Sequence, residues 1–513
     1  MSRQKHPGLA VLVGAGPGEA GLITVAGSQW LSRADAVVYD RLANEALLEL
    51  CPAAARRIYV GKTPGRDGPS QDEINRLLVE TCWQCSVVVR LKGGDPLVFG
   101  RGAEEADALS AAGVPFRIVP GVTAAVAAAA CAGIPLTDRR AASSVAFVTG
   151  HEDPAKTESS LNWRALAGID TVVFYMGVGN LETIARRFIE AGRAPDTPAA
   201  VVCNASSPRQ RTVSGTLATI AQVVTAAKLA PPAVVIVGPT VAMRERLAWV
   251  EKLPLWGRTI LVTRPRAQMP SLAAALTESG AEVLECPVLE IAPPVSPEVL
   301  DAALLRLGEF DWLVLTSANG VAAVFDRLDA LGRDTRALAC VRVAAIGPPT
   351  AEALRARGVR ADMVARPHTT EALAEALIAA EEAAGGRFLL ARADIATDTL
   401  PRMLRAAGAH VEEVSAYRTV RPVALPQHVM ETLVAGAVDW ITFTSASTVE
   451  NFFAMAAGVD LSPVRLAAIG PVTAEALRAR GLKPHAVADE HTAGGLAAAI
   501  LNAEGDSSRG RTS

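Results

Sequence analysis

Short apolar runs alternate with helix-periodic stretches along most of the chain. In its first half Leu9–Val13, Ala36–Asp40, Val87–Leu91, Val145–Gly150, Thr171–Met176, Ala199–Cys203 and Val234–Gly238 are nearly uninterrupted by polar residues. Continuous runs, rather than an alternation of apolar and polar, mark strands covered on both faces. They predict largely parallel sheets with helices packed on each side. Val122–Leu136 is apolar but alanine-rich and closed by glycine and proline, so it reads as a buried helix, too short to span a bilayer. The pattern predicts two α/β lobes before a break at Glu251–Gly257, where a proline sits among charged and aromatic residues.

Beyond the break the pattern repeats itself. Gly257–Pro265 is echoed by Gly386–Asp394, Asp311–Gly320 by Asp439–Thr448, and Ile346–Gly358 by Ile469–Gly481. In the last pair Ala351–Gly358 and Ala474–Gly481 are identical residue for residue. Three blocks therefore run in the order A-B-C-A-B-C. This predicts either a duplicated α/β domain with no shared site or two similar lobes facing a ligand cleft. The expected domains are residues 1–252 and 257–503, followed by a disordered tail over 504–513.

Composition narrows the function classes. The 513 residues are half hydrophobic and carry a net charge of −3, so no basic field invites nucleic acid. No signal peptide or membrane span is expected. Seven scattered cysteines fit a reducing cytoplasm better than a disulfide scaffold. Cys82 and Cys85 form the single C-x-x-C, without the second pair that a zinc site needs; packing is the preferred reading and no metal is expected.

Candidate chemistry begins at Gly14–Gly18 (GAGPG). The loop after the first strand resembles a dinucleotide fingerprint, but Gly18 comes one position early and Glu19 stands where the third glycine belongs. Pro17 removes an N–H that would cradle a pyrophosphate. A dinucleotide oxidoreductase with Asp40 as its ribose acid is therefore the weaker alternative. At Gly93-Gly94-Asp95-Pro96 paired glycines let a ligand approach the backbone, and Asp95 offers a carboxylate where open α/β sheets bind ligands. It suits a cationic amino group, or else it caps a turn. After Gly257 the candidates are small polar residues at strand ends, Thr316, Ser317, Asn319, Ser445, Ser447 and Thr473. With helix N-termini these can bind carboxylates, or they can simply cap helices.

The ordered set VGAGPG, ADAVVYDRL, VGK, RLKGGDPLVFGRG, VPGVTA, IPLT, SSVAFVTGH and VVFYMG resembles the tetrapyrrole methylases over about residues 8–250, most closely uroporphyrinogen-III C-methyltransferase. The resemblance implies a two-lobed methylase that uses S-adenosylmethionine, with a homodimer formed through this half. It implies donor contacts at Pro17, Gly93, Gly94, Asp95, Val98, Thr123, Ala124, Met176 and Ala205, with Asp40 as proton acceptor and Lys62 as proton donor. This chain has Ala205-Ser206 where the family pattern has Gly-Thr, and its own wording over Thr137–Ser144. Because the acceptor bears eight carboxylates, Arg101, Arg139 and Arg140 are its candidate partners.

The second half, with TRP, DWLVLTSANGV, EVSAYRT and both IG-x-x-TAEAL blocks, is similar to uroporphyrinogen-III synthase over about residues 257–503. That family has two α/β lobes joined by two crossings, which would combine block A1 with B2 and C2, and B1 and C1 with A2. Tyr417 resembles the tyrosine that assists loss of hydroxyl from hydroxymethylbilane, and Thr473 a threonine near the substrate carboxylates. Together the halves imply closure of hydroxymethylbilane to uroporphyrinogen III and its methylation at C2 and C7 to precorrin-2. No dehydrogenase or ferrochelatase module is recognised beyond that step. The alternatives are methylation of a later corrin intermediate, or a carboxy-terminal half that binds without catalysis.

Overall fold

β1 (Leu9–Gly14), β2 (Ala36–Tyr39), β3 (Arg56–Tyr59), β4 (Val87–Lys92) and β5 (Phe116–Val119) pair in the order β3-β2-β4-β1-β5, all parallel. In the computed structural model, which describes residues 6–61, 68–150, 161–264, 269–380 and 384–509, both faces of this sheet are covered. Ala10, Leu12, Val38 and Val88 enter one core, while their neighbours Val11, Val13, Val37 and Val89 enter another. Successive strand residues point to opposite faces, so a sheet with two cores needs apolar residues at consecutive positions.

The second sheet departs from expectation. β6 (Val145–Thr149), β7 (Thr171–Tyr175), β8 (Pro198–Cys203), β9 (Arg211–Thr216) and β10 (Ala233–Val237) pair in the order β6-β7-β10-β8-β9. Only β6 and β7 are parallel; β10 runs antiparallel to β7 and β8, and β9 antiparallel to β8. An apolar run reports that both faces are buried, here by the clusters around Phe174 and Tyr175, and carries no record of strand direction. The alanine-rich stretch is a helix over Ala124–Ala132, ended by Gly133 at a φ of 67°.

The chain divides into two compact units, Met1–Arg258 with Thr277–Glu282, and Thr259–Leu276 with Val283–Ser513. The second contains β11 (Thr259–Val262), β12 (Glu282–Glu285), β13 (Glu290–Ala292), β14 (Trp312–Leu315), β15 (Arg342–Ala345), β16 (Met363–Val364), β17 (Arg387–Ala393), β18 (His410–Val420), β19 (Trp440–Phe443), β20 (Arg465–Ala468) and β21 (Ala486–Val487). One sheet is β12-β11-β19-β20-β21 and the other β13-β18-β17-β14-β15-β16. Block A1 thus sits beside B2 and C2, and A2 beside B1 and C1, as the resemblance implies. The duplication extends to side chains. Arg342 lies over the Trp312 ring at 4.6 Å, and Arg465 over the Trp440 ring at 4.5 Å.

Of the tail expected over 504–513, residues 504–509 are instead the end of the last helix, Ala493–Arg509, and residues 510–513 lie outside the described residues. Glu504 is buried, accepts a 2.8 Å bond from Trp440 Nε1 and pairs with Arg465. A polar sequence alone does not reveal that its glutamate has a buried indole and guanidinium to meet. Among the described residues no helix is long and apolar enough to cross a membrane, and no cluster of three metal-ligating side chains forms. Cys82 and Cys85 are buried, and burial pushes the Cys82 thiol up to about 12.

Candidate functional site

Three loops at the carboxyl end of the first sheet are tied together, two by backbone and the third by the side chain of Asp95. Gly94 N donates to Gly16 O at 2.9 Å and Gly16 N to Gly94 O at 3.2 Å, joining the loops after β1 and β4. Asp95 reaches the third: its Oδ2 accepts from Gly121 N at 3.0 Å, while Oδ1 accepts from Leu97 N at 2.8 Å. The turn-capping reading of Asp95 is therefore realised, and its remaining lone pairs stay available to a cation. Gly94 has a φ of 70°, and a side-chain carbon built there would meet nothing nearer than Ala124 N at 3.7 Å. The glycine is required by its left-handed backbone, and it leaves open space beside Thr123 and Ala124. That opening fits a ligand laid against the backbone.

Tyr175, at the end of β7, organises the other side. Its hydroxyl accepts from Ala125 N at 3.0 Å and hydrogen-bonds Thr123 Oγ1, and its ring lies 4.9 Å from that of Phe99. Burial, the largest influence, raises its phenol above the ordinary value. Val98, Ala124 and Ala205 all pack against the cluster that contains Tyr175. Ser206 Oγ donates to Pro17 O, which links the GPG loop to the turn after β8. The structure thus brings together Pro17, Gly93, Gly94, Asp95, Val98, Thr123, Ala124, Met176 and Ala205. One of them, Met176, has a positive φ, as do Phe99, Arg101, Asn204 and Ser206 in the adjoining stretches of chain. Such strained backbone collects at functional sites. Tyr175 and Phe99 escaped the sequence reading, and Ser206 entered it only as a departure from the family pattern; the one signal for Tyr175 was a hydroxyl ending an apolar strand.

Asp40 lies at the carboxyl end of β2 with its side chain 29% exposed. Arg90 Nη2 donates to its Oδ1 at 2.7 Å, and Lys92 Nζ stands 3.9 Å from its Oδ2. Both cations are buried and share one further partner. Glu105 Oε1 accepts from Arg90 Nε at 3.0 Å and from Lys92 Nζ at 2.8 Å. Glu105 is fully buried, and its Oε2 has no partner. Burial, and then Arg90, hold the Lys92 ammonium below its ordinary value against the pull of Glu105 and Asp40. Asp40 is therefore no loose surface charge. In sequence Val87–Leu91 reads as a buried strand, which does not single out Arg90 or the Lys92 that follows it; the helices Gln71–Cys82 and Gly102–Ala111 pack on the face these two share with Val88. Lys62 lies outside the described residues.

The candidate arginines are exposed. Arg101 is held bidentate by Glu104 at 2.8 and 2.7 Å, and Arg140 by Asp138 at 2.9 Å from both nitrogens. The Asp138 carboxyl is drawn down to about 2 by the bonds from Arg140. Exposed pairs of this kind are worth little, so either arginine can exchange its partner for a ligand carboxylate.

In the second unit Thr316 and Ser317 follow β14 and Tyr417 lies in β18 of the same sheet, while Ser445 follows β19, Ser447 lies in the helix Ala446–Met455 and Thr473 in the helix that follows β20. Ser317 caps the helix Ala318–Ala330, accepting from Gly320 N at 3.0 Å, and Ser445 caps Ala446–Met455. Tyr417 is 7% exposed and packs in the core beneath β14 and β18. Its hydroxyl lies 2.9 Å from Ser317 Oγ, so two residues a hundred positions apart form one polar pair. Thr473 is buried in the helix Pro471–Arg478. Arg264 Nε, at the end of β11, is buried without a partner, and burial lowers the guanidinium from its ordinary value.

Residues 10–221 match the family described as Tetrapyrrole (Corrin/Porphyrin) Methylases, and residues 270–498 match Uroporphyrinogen-III synthase HemD. The chain is 38% identical over 487 residues to the porphyrin biosynthesis protein HemD of Ruminiclostridium josui, covering 94% of this chain and 96% of that protein. It is 42% identical over 333 residues to the uroporphyrinogen-III C-methyltransferase of Bacillus subtilis (strain 168), covering 64% of this chain and 68% of that one. A solved uroporphyrin-III C-methyl transferase of Thermus thermophilus, complexed with S-adenyl homocysteine, is 40% identical with a TM-score of 0.40, over 46% of this chain and 99% of its own.

Proposed function

Since the chain belongs to the porphyrin-biosynthesis family in which a tetrapyrrole methylase precedes a uroporphyrinogen-III synthase, and has both activities, we propose that it converts hydroxymethylbilane to precorrin-2. Residues 257–503 close the linear tetrapyrrole with inversion of ring D. Residues 1–252 then methylate uroporphyrinogen III at C2 and C7. The observation that carries this reading is the relationship to a porphyrin biosynthesis protein over nearly the whole chain, with both families matched in order along it. The order of steps follows because the product of ring closure is the substrate of the methylase half.

S-adenosylmethionine, when bound, would supply its sulfonium methyl group to the ring carbon, the sulfur keeping the electron pair of the broken carbon–sulfur bond as a neutral thioether. We assign its contacts to Pro17, Gly93, Gly94, Asp95, Val98, Thr123, Ala124, Met176 and Ala205, supported by their convergence around the Gly16–Gly94 bridge and Tyr175. Their work is alignment of donor and acceptor. Asp40 takes the proton that the ring loses after its carbon is methylated, and Lys62 serves as proton donor. Arg101, with Arg139 and Arg140, holds acceptor carboxylates. In the other half Thr316, Ser317, Ser445 and Thr473 bind the substrate and Tyr417 assists loss of its hydroxyl. A second copy is the expected partner of the methylase half, and sedimentation of the pure protein tests it.

Incubation with hydroxymethylbilane alone is expected to give uroporphyrinogen III, and with S-adenosylmethionine added, precorrin-2. Type I product alone would leave the second half without catalysis. Uroporphyrinogen III that accumulates unmethylated would place the first half on a later corrin. A second expectation concerns Met176, which is 55% exposed and held at a φ of 54°. Met176→Gly relieves about 1 kcal/mol of left-handed strain and should melt higher. It should also bind S-adenosylmethionine more weakly by calorimetry; unchanged binding would take Met176 out of the donor site.

A further inference from the structure

Glu105 gives a single oxygen to both Arg90 and Lys92, and the same two cations face Asp40. We infer that Glu105 is a positioning residue for methyl transfer: it divides the positive charge of Arg90 and Lys92 with Asp40, and so sets how strongly Asp40 holds the proton it accepts. The inference rests on the reading of Asp40 as that acceptor.

The geometry sets the direction. Arg90 cannot drift toward Asp40, because Nη1 donates to the carbonyls of Val38 and Leu91, both at 3.3 Å, while Nε is held by Glu105. Glu105 stands in the first turn of the helix Gly102–Ala111, which follows the loop begun by Gly93-Gly94-Asp95. Asp40 and Glu105 therefore share one charge network with Arg90 and Lys92, two anions and two cations, of which only the Asp40 side chain is substantially exposed. Other groups facing it are Gln71, whose Nε2 lies 3.4 Å from Glu105 Oε1, and Glu104, which acts on Lys92 from the helix of Glu105. Tyr39, next to Asp40 in β2, stacks edge-on with Tyr59 of β3 and carries no charge near neutral pH.

Removing the charge of Glu105 leaves both cations to Asp40 alone, which favours its ionised form and makes it a weaker base. Removing Lys92 does the opposite. The experiment is the pH profile of kcat/KM for methylation of uroporphyrinogen III by the full chain. Glu105→Gln is expected to move the acid limb down by about one pH unit and to slow the plateau rate about tenfold. Lys92→Met should move the limb up, and Glu105→Asp should return it toward wild type. S-adenosylmethionine binding by calorimetry should change less than threefold, roughly the scatter of a contact left intact. A structural role alone lowers the melting point and moves no limb. Two limbs at the wild-type position, with Asp40→Asn still inactive, would overturn the inference while sparing the acceptor assignment. Wild-type turnover in Asp40→Asn would overturn both. Should Glu105→Gln fail to fold, Lys92→Met decides by the sign of its shift.

Discussion

Replacing Asp40 with asparagine is expected to slow methylation of uroporphyrinogen III by about 10² to 10⁴ and leave S-adenosylmethionine binding nearly intact. The amide keeps the shape of the side chain and can still accept from Arg90 Nη2, now 2.7 Å from Asp40 Oδ1. What it loses is the ability to take a proton. The donor loops are held by other groups, the Gly16–Gly94 bridge and the bonds from Leu97 and Gly121 to Asp95, none of which touches Asp40. The competing account makes Asp40 a structural counter-ion to Arg90. That account predicts a lower melting point, of the order of the 1–3 kcal/mol lost when a buried donor is left poorly paired, with turnover preserved. Steady-state rates beside a melting curve separate the two, and wild-type turnover would remove Asp40 from the chemistry. Lys62→Ala, at the residue assigned as proton donor, belongs in the same series and is expected to slow methyl transfer with S-adenosylmethionine binding nearly intact.

Tyr417→Phe should lower the rate of type III formation by about ten- to a hundredfold, less than a full general acid contributes, because a phenol is a weak acid near neutral pH. Spontaneous closure gives the type I isomer, so the ratio of type III to type I should fall with the rate. Methylation of added uroporphyrinogen III should be unaffected. The structure makes the bland alternative concrete: Tyr417 is buried, and its hydroxyl pairs with Ser317 Oγ at 2.9 Å. If that bond is only structural, its loss costs about 1 kcal/mol, and Ser317 keeps its cap on Gly320 N. An unchanged rate and isomer ratio with a lowered melting point would decide for the structural bond. Ser317→Ala is the informative companion, since a working Tyr417–Ser317 pair predicts that the two substitutions are not additive.

Much of the architecture was written in local pattern. Consecutive apolar residues in β1, β2 and β4 could be satisfied only by a sheet with a core on each face, and the repeat of TSA and TAEAL blocks announced two similar lobes. The exchange of block A between those lobes was implied by the likeness to uroporphyrinogen-III synthases and is what the sheets contain. The loops that carry Gly16 and Gly94 were legible because each glycine meets a backbone requirement local to its position. Strand direction in the second sheet was not legible, since burial on two faces makes the same demand of a parallel and an antiparallel strand. Nor was the fate of Glu504, or of Arg90, Lys92 and Glu105. A charge in a sequence reads as solvated until its partner is known. The partners here come from a different strand, a helix or another part of the fold, and only the folded chain brings them within hydrogen-bonding distance, where mutual pairing offsets the cost of leaving water. The sequence determined the elements and the glycine-shaped space for a ligand; the tertiary structure decided which charges face that space and how they are shared.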